Sequence, residues 1–337
     1  MSRNLTLLVV GLGVTFWIAE VIWQIEEACG RVGSLVPRQV GQFDPYLGWS
    51  LKPGAVAVSK RTGSAVEYRI NSKGLRDQER TYQKPKGIYR IVLIGDSYTF
   101  GAGVPIETHF STLLRGSFTA LEVINLGVNG YGIDQAFLRL QKEGFKYAPD
   151  LVIAFVPFYY SSPRYMYARQ FGMNKPRFVL VQGELMLTGV PVHPRTTMFG
   201  NSLVAKFFFD AVPQGIADAR NKADAAFLRE MAELGEALII AMHNASGLHG
   251  AQFLLVTCMP GLHERMVRQG IRSLNVSATL SNPALKLPRG LLHLNEGGNS
   301  ALARVVAEFL HHEGLIPARH LRSSATQAVL AESDPGH

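Results

Sequence analysis

The stretch Ile91-Val-Leu-Ile-Gly-Asp-Ser-Tyr-Thr-Phe-Gly101 decides the fold of this chain. Its first four residues are apolar and predict a buried strand, and Gly95, Asp96 and Ser97 then break the pattern. A serine at the carboxyl end of a parallel strand, on a tight turn before a helix, lies where open α/β sheets bind ligands. Backbone N–H groups at such a turn favour developing negative charge, so Ser97 is a candidate nucleophile. The alternative is a turn that uses Gly-Asp-Ser only for its geometry and for N-capping.

From residue 90 onward, apolar runs alternate with segments of helical periodicity, which predicts a parallel sheet covered by helices on both faces. Strands are predicted at 90–94, 122–125, 151–156, 252–257 and 273–276. Helices are predicted at about 109–119, 133–144, 218–246, 263–271 and 297–312. Residues 170–215 interrupt this alternation and are interpreted as an insertion, in which Gln182-Gly183 between two apolar runs indicates a hairpin.

The composition is that of a globular protein with a large core. The chain has 337 residues, 47% of them hydrophobic and 18% charged, with a formal net charge of +8. Its basic residues are scattered, with neither zinc-finger spacing nor an aromatic-basic ribonucleoprotein motif, so nucleic acid is not expected as a partner. The positive charge suits lipid headgroups or an anionic polymer better.

Residues 5–25 form an apolar run that is long enough to span a bilayer as one helix. Arg3 precedes the run and Glu26 follows it, so the positive-inside rule places the amino terminus in the cytoplasm and the rest of the chain outside. No small-residue cleavage site follows, which favours an uncleaved anchor over a removed signal peptide. The alternative is a buried helix of the globular domain.

The sequence therefore divides into four parts. Residues 1–29 are the expected membrane anchor, and residues 30–89 are a lead-in rich in Gly and Pro that packs on the main domain, with a short edge strand at Val66 to Ile70. Residues 90–315 form the α/β domain. The polar residues 320–337 are expected to be a disordered tail.

Three positions are expected to meet at the carboxyl edge of the sheet. Ser97 follows the first strand, Gly130 follows the second, and His293 precedes the last helix. His293 can take the proton of Ser97 and return it to a leaving alcohol. The backbone N–H groups of Ser97 and Gly130 can bind the oxyanion of an acyl-transfer intermediate. Taken singly, the histidine suits a helix cap and the glycine suits a turn.

Taken together, Gly95-Asp-Ser-Tyr, Asn129-Gly130 and His293-Leu-Asn resemble the SGNH/GDSL hydrolase superfamily. With Leu47-Gly-Trp, Ile70-Asn-Ser-Lys-Gly-Leu-Arg-Asp77 and the anchor helix, the chain resembles its membrane-anchored bacterial members. The resemblance implies a three-layer, flavodoxin-like fold with a mainly parallel five-stranded sheet.

The resemblance also implies site residues and a location. Ser97 would be the nucleophile and His293 the base, and the backbone N–H groups of Ser97 and Gly130 would form the oxyanion hole. Asp96 and Asn129 would support the site. The globular domain would lie on the periplasmic side of the inner membrane.

Two supporting groups of that superfamily are missing from this sequence. The position of its oxyanion-hole asparagine is Tyr159, and the position of its histidine-orienting aspartate is Gly290. The Tyr159 or Tyr160 hydroxyl can replace the first group, and a backbone carbonyl or Glu296 can replace the second.

Two functions follow from these residues. The first is an ester hydrolase or O-acyltransferase that acts on acylated extracytoplasmic carbohydrate. The second is a catalytically degenerate binding module in envelope polysaccharide assembly. A nucleotide-binding domain is disfavoured because neither Walker nor dinucleotide glycine spacing is present, so no cofactor is expected. No metal site is expected either, since the adjacent His311 and His312 would point in different directions from one helix.

Overall fold

The computed structural model describes residues 11–22, 35–157, 174–193, 225–288 and 291–322. The strands are β1 (Gly41–Asp44), β2 (Gly48–Leu51), β3 (Val56–Ser59), β4 (Val66–Arg69), β5 (Tyr89–Gly95), β6 (Leu121–Asn125), β7 (Leu151–Val156), β8 (Arg177–Val181), β9 (Glu184–Thr188), β10 (Gln252–Thr257) and β11 (Ser273–Asn275). The α-helices with described bounds are α1 (Ser97–Phe100), α2 (Phe110–Gly116), α3 (Ile133–Lys142), α4 (Ala225–Leu248), α5 (Pro260–Arg268), α6 (Ser277–Ser281) and α7 (Glu296–His312).

One five-stranded sheet carries the fold, with the strand order β6-β5-β7-β10-β11. Every neighbouring pair in it is parallel. Counted along the chain, the strands of this sheet take the order 2-1-3-4-5, which is the flavodoxin-like arrangement. The predicted fold class of the α/β domain is therefore confirmed.

The sheet is buried on both faces, as its uninterrupted apolar strands require. Along β5, Val92 and Ile94 belong to one apolar cluster, and Ile91 and Leu93 belong to the other, because successive side chains of a strand point to opposite faces. Residues of α3 and α4 lie in the first cluster, and residues of α2 and α7 lie in the second. The result is a three-layer molecule with the sheet in the middle.

The predicted strands of the sheet agree with the structure to within one residue at each end, and the longer helices agree in position. The main omissions are short elements. The four-residue helix α1 begins at Ser97 itself, whereas the sequence predicted a helix only from about residue 109. Four residues make a single turn, which is too short to show helical periodicity.

The lead-in forms two small hairpins, β1-β2 and β3-β4. The strand predicted at Val66 to Ile70 exists as β4, but it pairs with β3 and not with the edge of the main sheet. Strands β1 to β3 were not predicted, because each has only four residues and two of them contain or begin at a glycine.

The hairpin signal in the insertion is confirmed, since β8 and β9 pair across Gln182-Gly183. Both turn residues have positive φ, at 53° and 84°, as a two-residue hairpin loop of type I′ needs. Just before β8, the Lys175 ammonium lies 2.7 Å from the Asp134 carboxylate of α3, with both side chains 1% exposed. This ion pair joins the hairpin to the main domain.

The two ends of the chain are described in part. Residues 11–22 are helical, and no helix among the described residues is both long and apolar enough to cross a bilayer. The predicted span 5–25 extends beyond these described residues on both sides. At the other end, the predicted disordered tail was placed from residue 320. His320 itself is packed on the domain, since it is 1% exposed and its carbonyl accepts the Thr119 N–H. Residues 323–337 lie outside the described residues.

Candidate active site

The candidate nucleophile lies where β5 turns into α1. Asp96 is the N-cap of α1, and its carboxylate accepts the Tyr98 N–H at 2.9 Å. Burial raises the pKa of the Asp96 carboxyl to about 7. Ser97 follows as the first residue of the helix, and it is half-buried. The turn thus holds the serine by backbone geometry and leaves the residue partly exposed.

Two glycines allow neighbouring segments of the chain to approach the turn at Ser97 closely. A Cβ on Gly95 would lie 2.7 Å from the Phe155 carbonyl oxygen of β7. A Cβ on Gly127, in the loop after β6, would lie 2.5 Å from the Thr99 carbonyl carbon of α1. Real Cβ atoms do not approach so closely, so both positions require glycine. Gly127 places the β6 loop directly against the helix that carries Ser97.

The carboxyl end of α1 is held by two buried side chains. The Arg76 guanidinium donates to the carbonyls of Phe100, Gly101 and Val104. The His109 Nε2 lies 3.0 Å from the Tyr98 carbonyl, and burial lowers the pKa of His109 to about 3. The ring is neutral near pH 7, and since a carbonyl only accepts while Nδ1 accepts the Ser111 N–H, the single ring proton lies on Nε2 and is donated to Tyr98. Both side chains thus add hydrogen bonds to carbonyls at and just beyond the carboxyl end of α1.

The candidate base lies on the loop before α7. The Leu287 N–H donates to the His293 carbonyl at 2.8 Å. Two residues further on, Asn295 caps α7 by accepting the Gly298 N–H at 2.8 Å and donates its amide to the Ala284 and Lys286 carbonyls. These bonds fix the backbone on the carboxyl side of the histidine.

The structure brings the predicted nucleophile and base into contact. The His293 Nε2 lies 2.7 Å from the Ser97 Oγ, which is within the range for general base catalysis. Burial lowers the pKa of His293 to about 4, so the ring is neutral near pH 7. The contact serves catalysis when Nδ1 carries the ring proton, because Nε2 is then free to accept the proton of the serine.

No aspartate completes a triad in the described part of the chain. There, no carboxylate or carbonyl forms a hydrogen bond with the His293 Nδ1, and the ring bonds only to Ser97. Glu296, proposed from sequence as one substitute, is exposed in the first turn of α7 and makes no bond to His293. Gly290, at the aspartate position of the superfamily, lies outside the described residues.

Gly130, the second predicted oxyanion donor, lies in a tight turn after β6. Val128 to Tyr131 form a turn closed by the Tyr131 N–H on the Val128 carbonyl at 3.2 Å, with Gly130 at φ 79°. In a turn of this kind, the amide of the third residue is not used by the closing bond. No described backbone carbonyl accepts the Gly130 N–H.

The lead-in supports this turn, which the sequence did not predict. The Trp49 indole of β2 donates to the Asn129 carbonyl at 3.1 Å, and the Tyr131 hydroxyl donates to the Trp49 carbonyl at 2.7 Å. Their rings meet edge to face at 5.7 Å. The only sequence signal was the Leu47-Gly-Trp motif, which carried the resemblance without giving the tryptophan a role.

The remaining predicted site residues divide into two groups. Asp96, predicted to support the site, directly precedes Ser97 and caps its helix. Asn129, also predicted to support the site, directly precedes Gly130, and its carbonyl accepts the Trp49 indole N–H. Tyr159 and Tyr160, predicted as substitutes for the missing asparagine, lie outside the described residues.

The fold and this residue pair define a flavodoxin-like α/β protein with a serine–histidine dyad at the carboxyl edge of its sheet. No family model matches the sequence, and no curated protein matches it. Among solved structures, the chain is similar to a lipase/acylhydrolase from Enterococcus faecalis, with 16% identity, coverage of 67% of this chain and 97% of that chain, and a TM-score of 0.38.

Two further solved structures are similar to the chain at the same level. A GDSL-like lipase from Bacteroides thetaiotaomicron has 10% identity, with 68% of this chain and 92% of that chain covered and a TM-score of 0.39. An acetyl-xylooligosaccharide esterase from Geobacillus Stearmophilus has 15% identity, with 72% and 100% covered and a TM-score of 0.38. The likeness is distant, so the residue roles below rest on the geometry of this chain.

Proposed function

We propose that this protein is a serine-dependent ester hydrolase of the SGNH/GDSL type. The single observation that carries the proposal is the 2.7 Å contact between the Ser97 Oγ and the His293 Nε2 at the carboxyl edge of the sheet. A serine hydroxyl is a weak nucleophile at neutral pH, and an adjacent neutral imidazole is what activates it.

The reaction proceeds in two steps, acylation of Ser97 and hydrolysis of the acyl-serine. In the first, the Ser97 Oγ attacks the ester carbonyl while its proton passes to the His293 Nε2, and the resulting imidazolium returns that proton to the departing alcohol as the C–O bond breaks. In the second, water attacks the acyl-serine, and His293 again takes a proton and returns it to Ser97, which releases the acid. The N–H groups of Ser97 and Gly130 stabilise the oxyanion in both steps.

We further propose that the substrate is an O-acylated carbohydrate outside the cytoplasm, with hydrolysis or acyl transfer decided by whether water or a hydroxyl of a second sugar attacks the acyl-serine. The support is the resemblance of the motifs to membrane-anchored bacterial members. The N-terminal segment adds to it, since large apolar side chains of residues 11–22 are exposed, with Trp17 at 68% and Ile22 at 56%. Exposed apolar surface of this kind needs an apolar partner. In this proposal the partner is the lipid of the inner membrane, in which the segment is the anchor, and the domain lies on the periplasmic side.

The test is ester turnover by the full-length chain in detergent micelles. Release of acetate from O-acetylated oligosaccharides and from p-nitrophenyl acetate is compared between wild type and Ser97→Ala. We expect turnover by the wild type and a loss of at least about 10⁴-fold in the variant. Equal turnover by the two proteins would contradict the proposal.

One observation favours the second candidate, a binding module without turnover. His293 lacks a carboxylate partner in the described residues, and disabling the corresponding aspartate of a serine protease costs about 10⁴ in kcat. This candidate predicts that an O-acetylated oligosaccharide binds wild type and Ser97→Ala equally well by calorimetry and that neither protein releases acetate.

A further inference from the structure

We propose that Tyr98 is a positioning residue for His293 and takes the orienting role that an aspartate has in a serine hydrolase triad. The inference rests on the proposed function, because it assigns how the base of that reaction is held. It starts from a requirement of the chemistry. A histidine that accepts a proton at Nε2 must keep its ring plane aimed at the serine and must be stabilised once it becomes an imidazolium.

The Tyr98 ring meets the first requirement by stacking. The rings of Tyr98 and His293 are nearly parallel, with centroids 4.7 Å apart and an interplanar angle of 25°. A flat neighbour at this distance blocks rotation of the imidazole out of its plane. The ring therefore stays in the orientation that directs Nε2 toward Ser97.

The Tyr98 hydroxyl acts on the backbone of the same loop. It donates to the Leu292 carbonyl at 2.6 Å, one residue before the histidine. Together with the Leu287 N–H on the His293 carbonyl, this bond fixes the peptide units on both sides of the His293 Cα. One side chain thus restrains both the ring and the backbone of the base.

Tyr98 is itself rigidly held, as a positioning group must be. It is 8% exposed, and the edge-to-face contact with Phe155 of β7 lies at 6.0 Å. Its N–H donates to Asp96, and its carbonyl receives the His109 Nε2–H. Because it directly follows Ser97 in α1, the nucleophile and the support of the base belong to one turn of helix.

The stacking also provides charge stabilisation. An aromatic face attracts a cation within about 6 Å of its centroid, and the imidazolium forms 4.7 Å from the Tyr98 centroid. The phenol ring favours the protonated histidine of the transition state over the neutral histidine of the resting enzyme. Interactions that strengthen in the transition state raise kcat and leave KM unchanged.

The chain offers a matched control in Tyr89. This residue is also a buried tyrosine, with 6% exposure, whose hydroxyl donates to a backbone carbonyl, that of Leu315, at 2.7 Å. Its ring lies beside a histidine, His320, at 5.7 Å and a tilt of 53°. Tyr89 begins β5 and therefore lies at the opposite end of that strand from Ser97. A loss that comes only from removing a buried tyrosine would appear equally in both positions.

The experiment measures kcat and KM for p-nitrophenyl acetate with the full-length chain in detergent micelles. For Tyr98→Leu we expect kcat to fall by about 10- to 100-fold with KM within about twofold, whereas Tyr89→Leu keeps the wild-type kcat. Tyr98→Phe keeps the stacked ring and should retain kcat to within about threefold, a rescue that a purely structural loss would not show. If Tyr98→Leu does not fold, Tyr98→Phe is compared with Tyr89→Phe: the first loses the hydroxyl bond to the Leu292 carbonyl and should lower kcat by about two- to threefold, whereas the second should keep the wild-type kcat, and equal values for the two would overturn the inference.

Wild-type kcat in Tyr98→Leu, or an equal fall in Tyr98→Leu and Tyr89→Leu, would overturn the inference and leave the proposed function intact. Absence of turnover in the wild type would contradict the proposed function, and this inference with it.

Discussion

The Ser97 Oγ and the His293 Nε2 lie 2.7 Å apart although 196 positions separate the two residues in the chain. The parallel sheet produces this contact, because β5 delivers the serine to the same edge at which the loop before α7 presents the histidine. Each residue is fixed by its own local network, and those networks can be tested separately.

The rate of ester hydrolysis should fall on the acidic side near pH 4 and not near pH 6.5. Burial lowers the pKa of His293 to about 4, and only the neutral ring accepts the serine proton. The ring is therefore competent throughout the range above that value. The measurement is kcat/KM for p-nitrophenyl acetate between pH 4 and pH 8, with circular dichroism at each pH to show that the protein stays folded. A fall in kcat/KM centred at pH 6.5 would indicate a solvated histidine and contradict the buried environment of His293.

Gly127→Ala should reduce both stability and activity. The new Cβ would lie 2.5 Å from the Thr99 carbonyl carbon, so the β6 loop must move away from α1 and carry the Gly130 turn with it. We expect a destabilisation of about 1–3 kcal/mol and a fall in kcat. Gly116→Ala is the control, because a Cβ there meets no atom within 4 Å. Chemical denaturation and ester turnover provide the readout, and a Gly127→Ala protein with wild-type stability would contradict the packing described.

Arg76→Met should destabilise the protein strongly. The guanidinium is 1% exposed and donates to carbonyls at the end of α1 and beyond it. Each buried acceptor left unpaired costs about 1–3 kcal/mol. Arg69→Met removes an arginine from the same lead-in, but its ion pair with Glu67 is exposed, and such pairs contribute about 0–1 kcal/mol. Urea unfolding of the two variants should differ by more than about 2 kcal/mol, and similar values would show that Arg76 does not hold α1.

The stability should fall as the pH drops below about 6.5, and His109 should contribute to this loss. Burial lowers the pKa of His109 to about 3 in the folded protein, while the unfolded chain takes up its proton near pH 6.5. Between these values the unfolded state binds more protons, so the free energy of unfolding decreases by up to about 1.4 kcal/mol per pH unit for this group.

The matched variant is His109→Gln, which retains an N–H donor for the Tyr98 carbonyl and does not titrate in this range. Urea unfolding of both proteins at pH 7, 6 and 5 should show a weaker pH dependence in the variant. The same slope in both proteins would mean that His109 is accessible to protons in the folded state.

Much of the fold was predictable from local pattern. The buried strands show as uninterrupted apolar runs such as Ile91 to Ile94, and the hairpin at Gln182-Gly183 shows as a turn signal between two such runs. Short elements were missed because α1 is a single helical turn and β1 to β3 have four residues each, too few for a periodic pattern to stand out from the surrounding loops.

The candidate site was predictable only as far as its motifs reach. Ser97, Gly130 and His293 stand in recognisable sequence contexts, and the topology of the sheet brings the serine and the histidine together. The supports of the site are long-range contacts that no local pattern encodes. Arg76 reaches α1 from the lead-in, Trp49 holds Asn129 across 80 positions, and the Tyr98 hydroxyl bonds Leu292 across 194.

The central claim is that Ser97 is activated by His293, and reaction with a fluorophosphonate tests it most directly. The full-length chain in detergent micelles is treated with the probe, and the adduct is measured by intact mass, with Ser97→Ala and His293→Ala as controls. We predict one adduct on the wild type, none on Ser97→Ala, and labelling slowed by at least about 10³-fold on His293→Ala. A folded wild-type protein that remains unlabelled, or labelling that persists in Ser97→Ala, would contradict the account.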